Sequence, residues 1–247
     1  MTMSVLRGLA VALLALPALT AATAPASASP APTPGPVSAA PAHAVTGPAG
    51  PAPRHLPLTD AVAQLPGAAE SREGYVRTAF RHWVDADRDR CNTRAEVLIG
   101  ESRTQPVIEP TCRVTAGTWF SYYDGKTVTD PRVLDMVPLA EAWDSGASKW
   151  TPKRREAYAN DLDAERSLVA VTAKTNRSKA DQDPAQWLPP LADARCTYAA
   201  DWTATKLRWQ LSADRAEKAA LKSLAQECGH QDVEYVRAGQ NAGAAGH

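Results

Sequence analysis

The stretch SLVAVTAKTNRSKADQDPAQWLPP, residues 167–190, sets the architecture. SLVAVT is uncharged and rich in valine, which reads as a short buried strand. AKTNRSK then predicts a helix, and Pro189 and Pro190 stop the segment. Upstream, RVLDMVPLAEAW, residues 132–143, predicts a second short strand that ends at Pro138. Before Pro138 it carries one carboxylate, Asp135, among apolar residues. Two strands followed by a helix can bring an aspartate oxygen from Asp135 and an amide oxygen from Asn176 together, with Lys179 one helical turn on. Such oxygens suit a hard divalent cation, which stabilises the charge developing on a phosphodiester during cleavage. The attacking water then needs a base, typically a histidine. None lies beside Asp135 in sequence. His82, next to Trp83, reads as an ordinary partly buried histidine, and His230 falls beyond the last predicted helix.

Outward from these strands, residues 111–130 (TCRVTAGTWFSYYDGKTVTD) predict a hairpin turning at Asp124-Gly125. Tyr75, Ala79, Phe80 and Trp83 stand at helical spacing within 74–84, and a further helix is expected through Glu96–Ile99. LAEAWDSGASKW and TPKRREAYANDL predict two helices, the second started by Thr151-Pro152. The remainder is helical, with Ser212 as an N-cap and Leu221 and Leu224 on a buried face. The fold class is α+β with a small sheet.

The N-terminus sets the compartment. Arg7, the apolar run Gly8–Leu19 and the small residues Ala26-Ser27-Ala28 form a secretory signal peptide over residues 1–28. Residues 29–69, rich in Pro, Ala, Gly and Ser, predict a disordered spacer. A folded domain is expected over 70–236 and a disordered tail over 237–247. All four cysteines fall in the domain, and an even count in an exported chain favours disulfides. Local closure favours Cys91–Cys112 and Cys196–Cys228. The absence of any CxxC pair argues against a zinc ribbon. Lys and Arg equal Asp and Glu at 27 each, so no global basic field marks a nucleic-acid partner. Basic residues do gather between Lys149 and Lys179, where Arg154 and Arg177 are candidate phosphate contacts. DADRDRCNTRAE, residues 85–96, places Asp85, Asp87, Asp89 and Glu96 as a calcium loop would, but Arg90 stands where that loop needs glycine.

YVRTAFRHWVDADRDRCNTRAEVL, WFSYYDG, VPLAEAWDSGA, REAYANDL, LVAVTAKTNRSKADQDPAQWLPP and CTYAADWTATKLRWQL resemble secreted actinobacterial HNH-type endonucleases. These share the domain at the C-terminus of GmrSD-type restriction enzymes. The likeness spans roughly residues 72–225, and the NRSK segment is its most specific part. It implies a ββα-metal core embedded in helices and stabilised by disulfides. It further implies secretion, no membrane attachment once the signal is removed, and cleavage of DNA, or RNA, without strong sequence preference. The implied cofactor is magnesium, manganese or a similar divalent ion.

Asn176 matches the metal-ligand position on the family's helix, and Lys179 and Asp181 complete that motif, with Ala180 where glycine is common. The family's middle asparagine position falls at Ser167, with Asn160 of ANDL as the alternative. The implied catalytic residues are therefore Asn160, Ser167 and Lys179, and the implied metal ligands Asp135 and Asn176. The family's first strand reads like LDIDHVVPLAEAW, whereas this chain has LDMVPLAEAW. It is three residues shorter and lacks the Asp-His pair, leaving Asp135 on the first aspartate. Two functions follow: a metal-dependent nuclease, or a degenerate relative that binds nucleic acid or metal without cutting.

Overall fold

The computed structural model describes residues 52–239. The expected signal peptide, the spacer as far as residue 51 and the tail from residue 240 lie outside the described residues. The described residues open with strand β1 (Arg54–Pro57) and helix α1 (Leu58–Gln64). A 3-10 turn at Arg77–Ala79 leads to α2 (Thr93–Gly100). Short strands follow: β2 (Val107–Ile108), β3 (Val114–Ala116), β4 (Trp119–Ser121), β5 (Lys126–Val128) and β6 (Arg132–Asp135). Next come α3 (Leu139–Asp144), α4 (Pro152–Ala159), β7 (Leu168–Val171) and α5 (Ala173–Lys179). The chain closes with α6 (Arg195–Trp209), α7 (Arg215–Glu227) and β8 (Asp232–Tyr235). Four two-stranded antiparallel sheets result, β1 with β8, β2 with β3, β4 with β5 and β6 with β7. Among the described residues no helix is long and apolar enough to cross a membrane.

α6 is the axis of the core. Trp202, Trp209 and Tyr198 are fully buried on it, in one core cluster with Tyr123, Met136, Leu139, Leu58 of α1 and Leu65 just after it. Both expected disulfides are present, Cys91–Cys112 and Cys196–Cys228. Three expectations are corrected. The spacer does not run to residue 69, because β1 and α1 are ordered, and Leu58, Ala61, Val62 and Leu65 are buried at i, i+3, i+4, i+7 spacing. Residues 74–84 form only one 3-10 turn, since Tyr75 and Phe80 pack on Trp143 and the chain enters left-handed backbone at Trp83, φ 56°. The cap of α7 is Asp214, whose side chain accepts from Glu217 N, while Ser212 instead donates its hydroxyl to Ser145 O.

Candidate active site

β6 and β7 pair from Arg132↔Val171 to Asp135↔Leu168, and α5 leaves β7 directly. Thr172 caps that helix: its hydroxyl accepts from Thr175 N and donates to Asp124 Oδ2 in the β4–β5 turn. The opposite edge of β7 is held by α2, where Glu101 accepts from Ala170 N at 3.0 Å. With Thr172 as cap, Asn176 is the fourth residue of α5 rather than its terminus. A cavity of about 340 Å³ lies between strand end and helix, lined by Arg77, Asp135, Leu139, Asn176, Lys179 and Asp181. Asp135 and Asn176 both line this cavity.

Asp135 has a histidine after all. His82 Nε2 lies 3.3 Å from each Asp135 carboxylate oxygen, and the two side chains are only 13% and 8% exposed. The ring's other nitrogen, Nδ1, is 3.2 Å from the Arg77 guanidinium. A guanidinium only donates, so Nδ1 carries the lone pair and Nε2 donates its proton to Asp135. Trp83 stacks on the imidazole, ring centroids 4.2 Å apart and planes 8° from parallel. A left-handed backbone at a bulky residue costs about 1–3 kcal/mol and persists only where the surroundings over-determine it. His82 is partly buried, as expected, and it also faces Asp135, a contact that its distance in sequence did not suggest. An Asp-His contact, absent from the strand itself, thus forms between residues 53 positions apart.

The other candidates separate. Asn160 is outside the cavity and spends its amide on backbone: Nδ2 donates to Arg81 O and Glu156 O, and Oδ1 accepts from Val84 N. Ser167 is buried, donates to Asp161 Oδ2 at 2.8 Å and does not line the Asp135 cavity. Arg154 is no phosphate contact: it is buried, donates to Gly239 O and Trp209 O, and lies over the Trp150 and Trp209 rings. Arg177 is exposed on α5. Lys179 also departs from expectation. It is 1% exposed, its Nζ sits 5.0 Å from the Trp202 ring centroid, and that nitrogen has no hydrogen-bond partner among the described residues. Burial pushes its pKa down to about 7 against the attraction of Asp135, Glu141, Asp181 and Asp183. It does not present an ammonium to a phosphate.

The acidic loop is exposed, and its carboxylates are engaged within it. Asp85 accepts from Arg90 N, Asp87 from Asp89 N and Asp89 from Cys91 N. Arg90 takes the left-handed backbone, φ 81°, where a calcium loop has glycine. His230, as expected, is exposed beyond α7.

Residues 131–224 match the family described as GmrSD restriction endonucleases, C-terminal domain. That span takes in Asp135 and Asn176 and stops short of His82. That match points to a nuclease-related function. An uncharacterized secreted protein of the fungus Arthroderma benhamiae is 41% identical over 160 residues, covering 64% of this chain and 77% of the relative. The chain belongs to the same family as this secreted fungal protein, a relative outside the actinobacteria. The protein is secreted, in keeping with its relative and its two disulfides. No solved structure matches the chain.

Proposed function

We propose that the protein is a secreted, metal-dependent endonuclease of the HNH type, with β6, β7 and α5 as its ββα-metal core. The observation that carries this reading is His82 Nε2 at 3.3 Å from both oxygens of Asp135, beside the Asn176 helix. The residues fit a hard cation. Asp135 is a nearly buried carboxylate whose hydrogen-bond partner is His82, and Asn176, which lines the same cavity, offers an amide. Asp181 adds a third oxygen donor to the cavity wall. Asp135 and Asn176 would hold the ion, which as magnesium or manganese supplies Lewis-acid stabilisation to the scissile phosphodiester.

The chain's own residues do the rest. Asp135 accepts the Nε2 proton and so fixes the ring, leaving Nδ1 as the basic nitrogen. Arg77 is exposed and covers Nδ1; a phosphodiester drawn to its guanidinium uncovers that lone pair beside the phosphorus. Nδ1 then takes a proton from the attacking water as its oxygen bonds to phosphorus and the leaving P–O bond breaks. Arg177, exposed on the same helix as Asn176, meets the flanking backbone. Backbone contacts of this kind carry no base information, so we assign DNA, or RNA, without strong sequence preference.

Incubation of supercoiled plasmid and of single-stranded RNA with the purified domain tests the reading. Cleavage is expected with Mg²⁺ or Mn²⁺, is lost with a chelator, and drops in Asn176→Ala. No cleavage above the Asn176→Ala control would leave the binding-only alternative.

A further inference from the structure

His82 reaches Asp135 from a segment with little regular structure of its own, and one side chain grips that segment on both sides of the His82–Trp83 pair. Asn160 Nδ2 donates to Arg81 O at 2.7 Å, while its Oδ1 accepts from Val84 N at 3.0 Å. The second amide proton goes to Glu156 O at 2.8 Å, and Oδ1 also takes the Thr93 hydroxyl at 2.9 Å. Both amide donors are used, and Oδ1 is taken by Val84 N and faces the Thr93 hydroxyl, whose one proton it shares with Val84 O. Neighbours on α4 extend the grip, with Arg155 donating to Ala79 O at 3.1 Å and Glu156 pairing with Arg81 at 3.3 Å. Thr93 N holds Val84 O at 2.9 Å from the far side. Between the two gripped residues lies the left-handed Trp83, whose indole covers the imidazole face.

We propose that Asn160 is the positioning residue of the nuclease site: its amide bridges the carbonyl before His82 and the amide after Trp83, and thereby seats the imidazole on Asp135. The proposal rests on the reading of His82 as the base. A primary amide is the side chain that supplies a donor and an acceptor in one rigid plane for such a bridge. Aspartate keeps the acceptor and loses both donors, and alanine loses all. The left-handed turn at Trp83 needs outside support, and Asn160 supplies it at the two peptide groups that flank the turn.

The test has two arms on the full mature protein. In the first, diethyl pyrocarbonate labelling of each histidine is timed by mass spectrometry, with His55, whose side chain is 66% exposed, as internal reference. His82 should label slowly in wild type, several-fold faster in Asn160→Ala, and at an intermediate rate in Asn160→Asp. The second arm measures plasmid cleavage. Misplacing a reacting group in this way costs about 10²-fold, which should fall on kcat with KM little changed. The Asn160→Ala/His82→Ala double variant should be no slower than His82→Ala alone. Unchanged His82 labelling in a folded Asn160→Ala protein overturns the clamp. Faster labelling with wild-type kcat overturns its role in positioning the base. Should wild type not cleave at all, the nuclease reading fails, and the labelling arm still decides the clamp. If Asn160→Ala does not fold, Asn160→Asp answers both arms.

Discussion

Two lysines share one tryptophan and differ in everything else. Lys206 and Lys179 place their ammonium groups 5.6 Å and 5.0 Å from the Trp202 ring centroid, and both are buried. Lys206 donates to Glu141, Ser145 and Ser212 O at 2.8 Å and to Glu217 at 2.5 Å, and its pKa is raised despite desolvation. Lys179 has no such partner, and its pKa falls. The contrast extends to their surroundings. The Lys206 ammonium and Asp161, which takes Arg208, Trp209 and Ser167, are satisfied by protein and hold helices together, while Glu70 beside Glu141 and Glu217 keeps one buried oxygen without a hydrogen-bond partner among the described residues. Around the Asp135 cavity, Lys179 Nζ has no hydrogen-bond partner among the described residues, and Asp135 has His82. Satisfied buried networks specify structure, whereas under-partnered groups in a cavity are where a ligand does the satisfying.

That division breaks most visibly under mutation of the satisfied side. Lys206→Met leaves the Glu141 and Glu217 carboxylates buried without their cation, and should destabilise the fold by about 3–5 kcal/mol in urea titration. A loss below about 1 kcal/mol would show that the network is not structural. Lys179→Met should do the reverse, stabilising by about 1–3 kcal/mol as an unpartnered buried amine gives way to an apolar side chain. The sign with pH follows from the lowered pKa. Between about 7 and 10.5 the unfolded chain holds the Lys179 proton and the folded chain does not, so this group makes stability rise with pH across that window. Melting followed from pH 7 to 10 should show that slope in wild type and a flatter one in Lys179→Met. The smallest effect belongs to the acidic loop, whose carboxylates are engaged by loop amides. Asp87→Asn should change stability by no more than about 0.5 kcal/mol, and calcium should leave the melting temperature unmoved. A calcium-dependent rise would make that loop an ion site.

The strand pair and helix were legible because SLVAVT and AKTNRSK each obey one period, and the disulfides because local closure is geometrically simple. Asn176 was legible by position on its helix. His82 was not, because nothing in RHWV signals that a left-handed tryptophan will turn the chain toward a strand 53 residues on. Asn160 offered a partial clue: an asparagine ending a helix has an amide free to grip a passing segment. The family pattern pointed to Ser167 and Lys179, whose sequence context matched while their side chains turned into the core. β1 and α1 were hidden by composition. The Pro/Ala average of residues 29–69 outweighed Leu58, Ala61, Val62 and Leu65, whose spacing alone announces a buried helix face.

The central claim is that a histidine outside the strand completes the site, and the cleavage rate of His82→Ala tests it most directly. With Mg²⁺ or Mn²⁺ and a melting temperature matching wild type, the rate should fall by about 10²–10⁴-fold. A folded His82→Ala protein that cleaves plasmid at the wild-type rate would contradict the account.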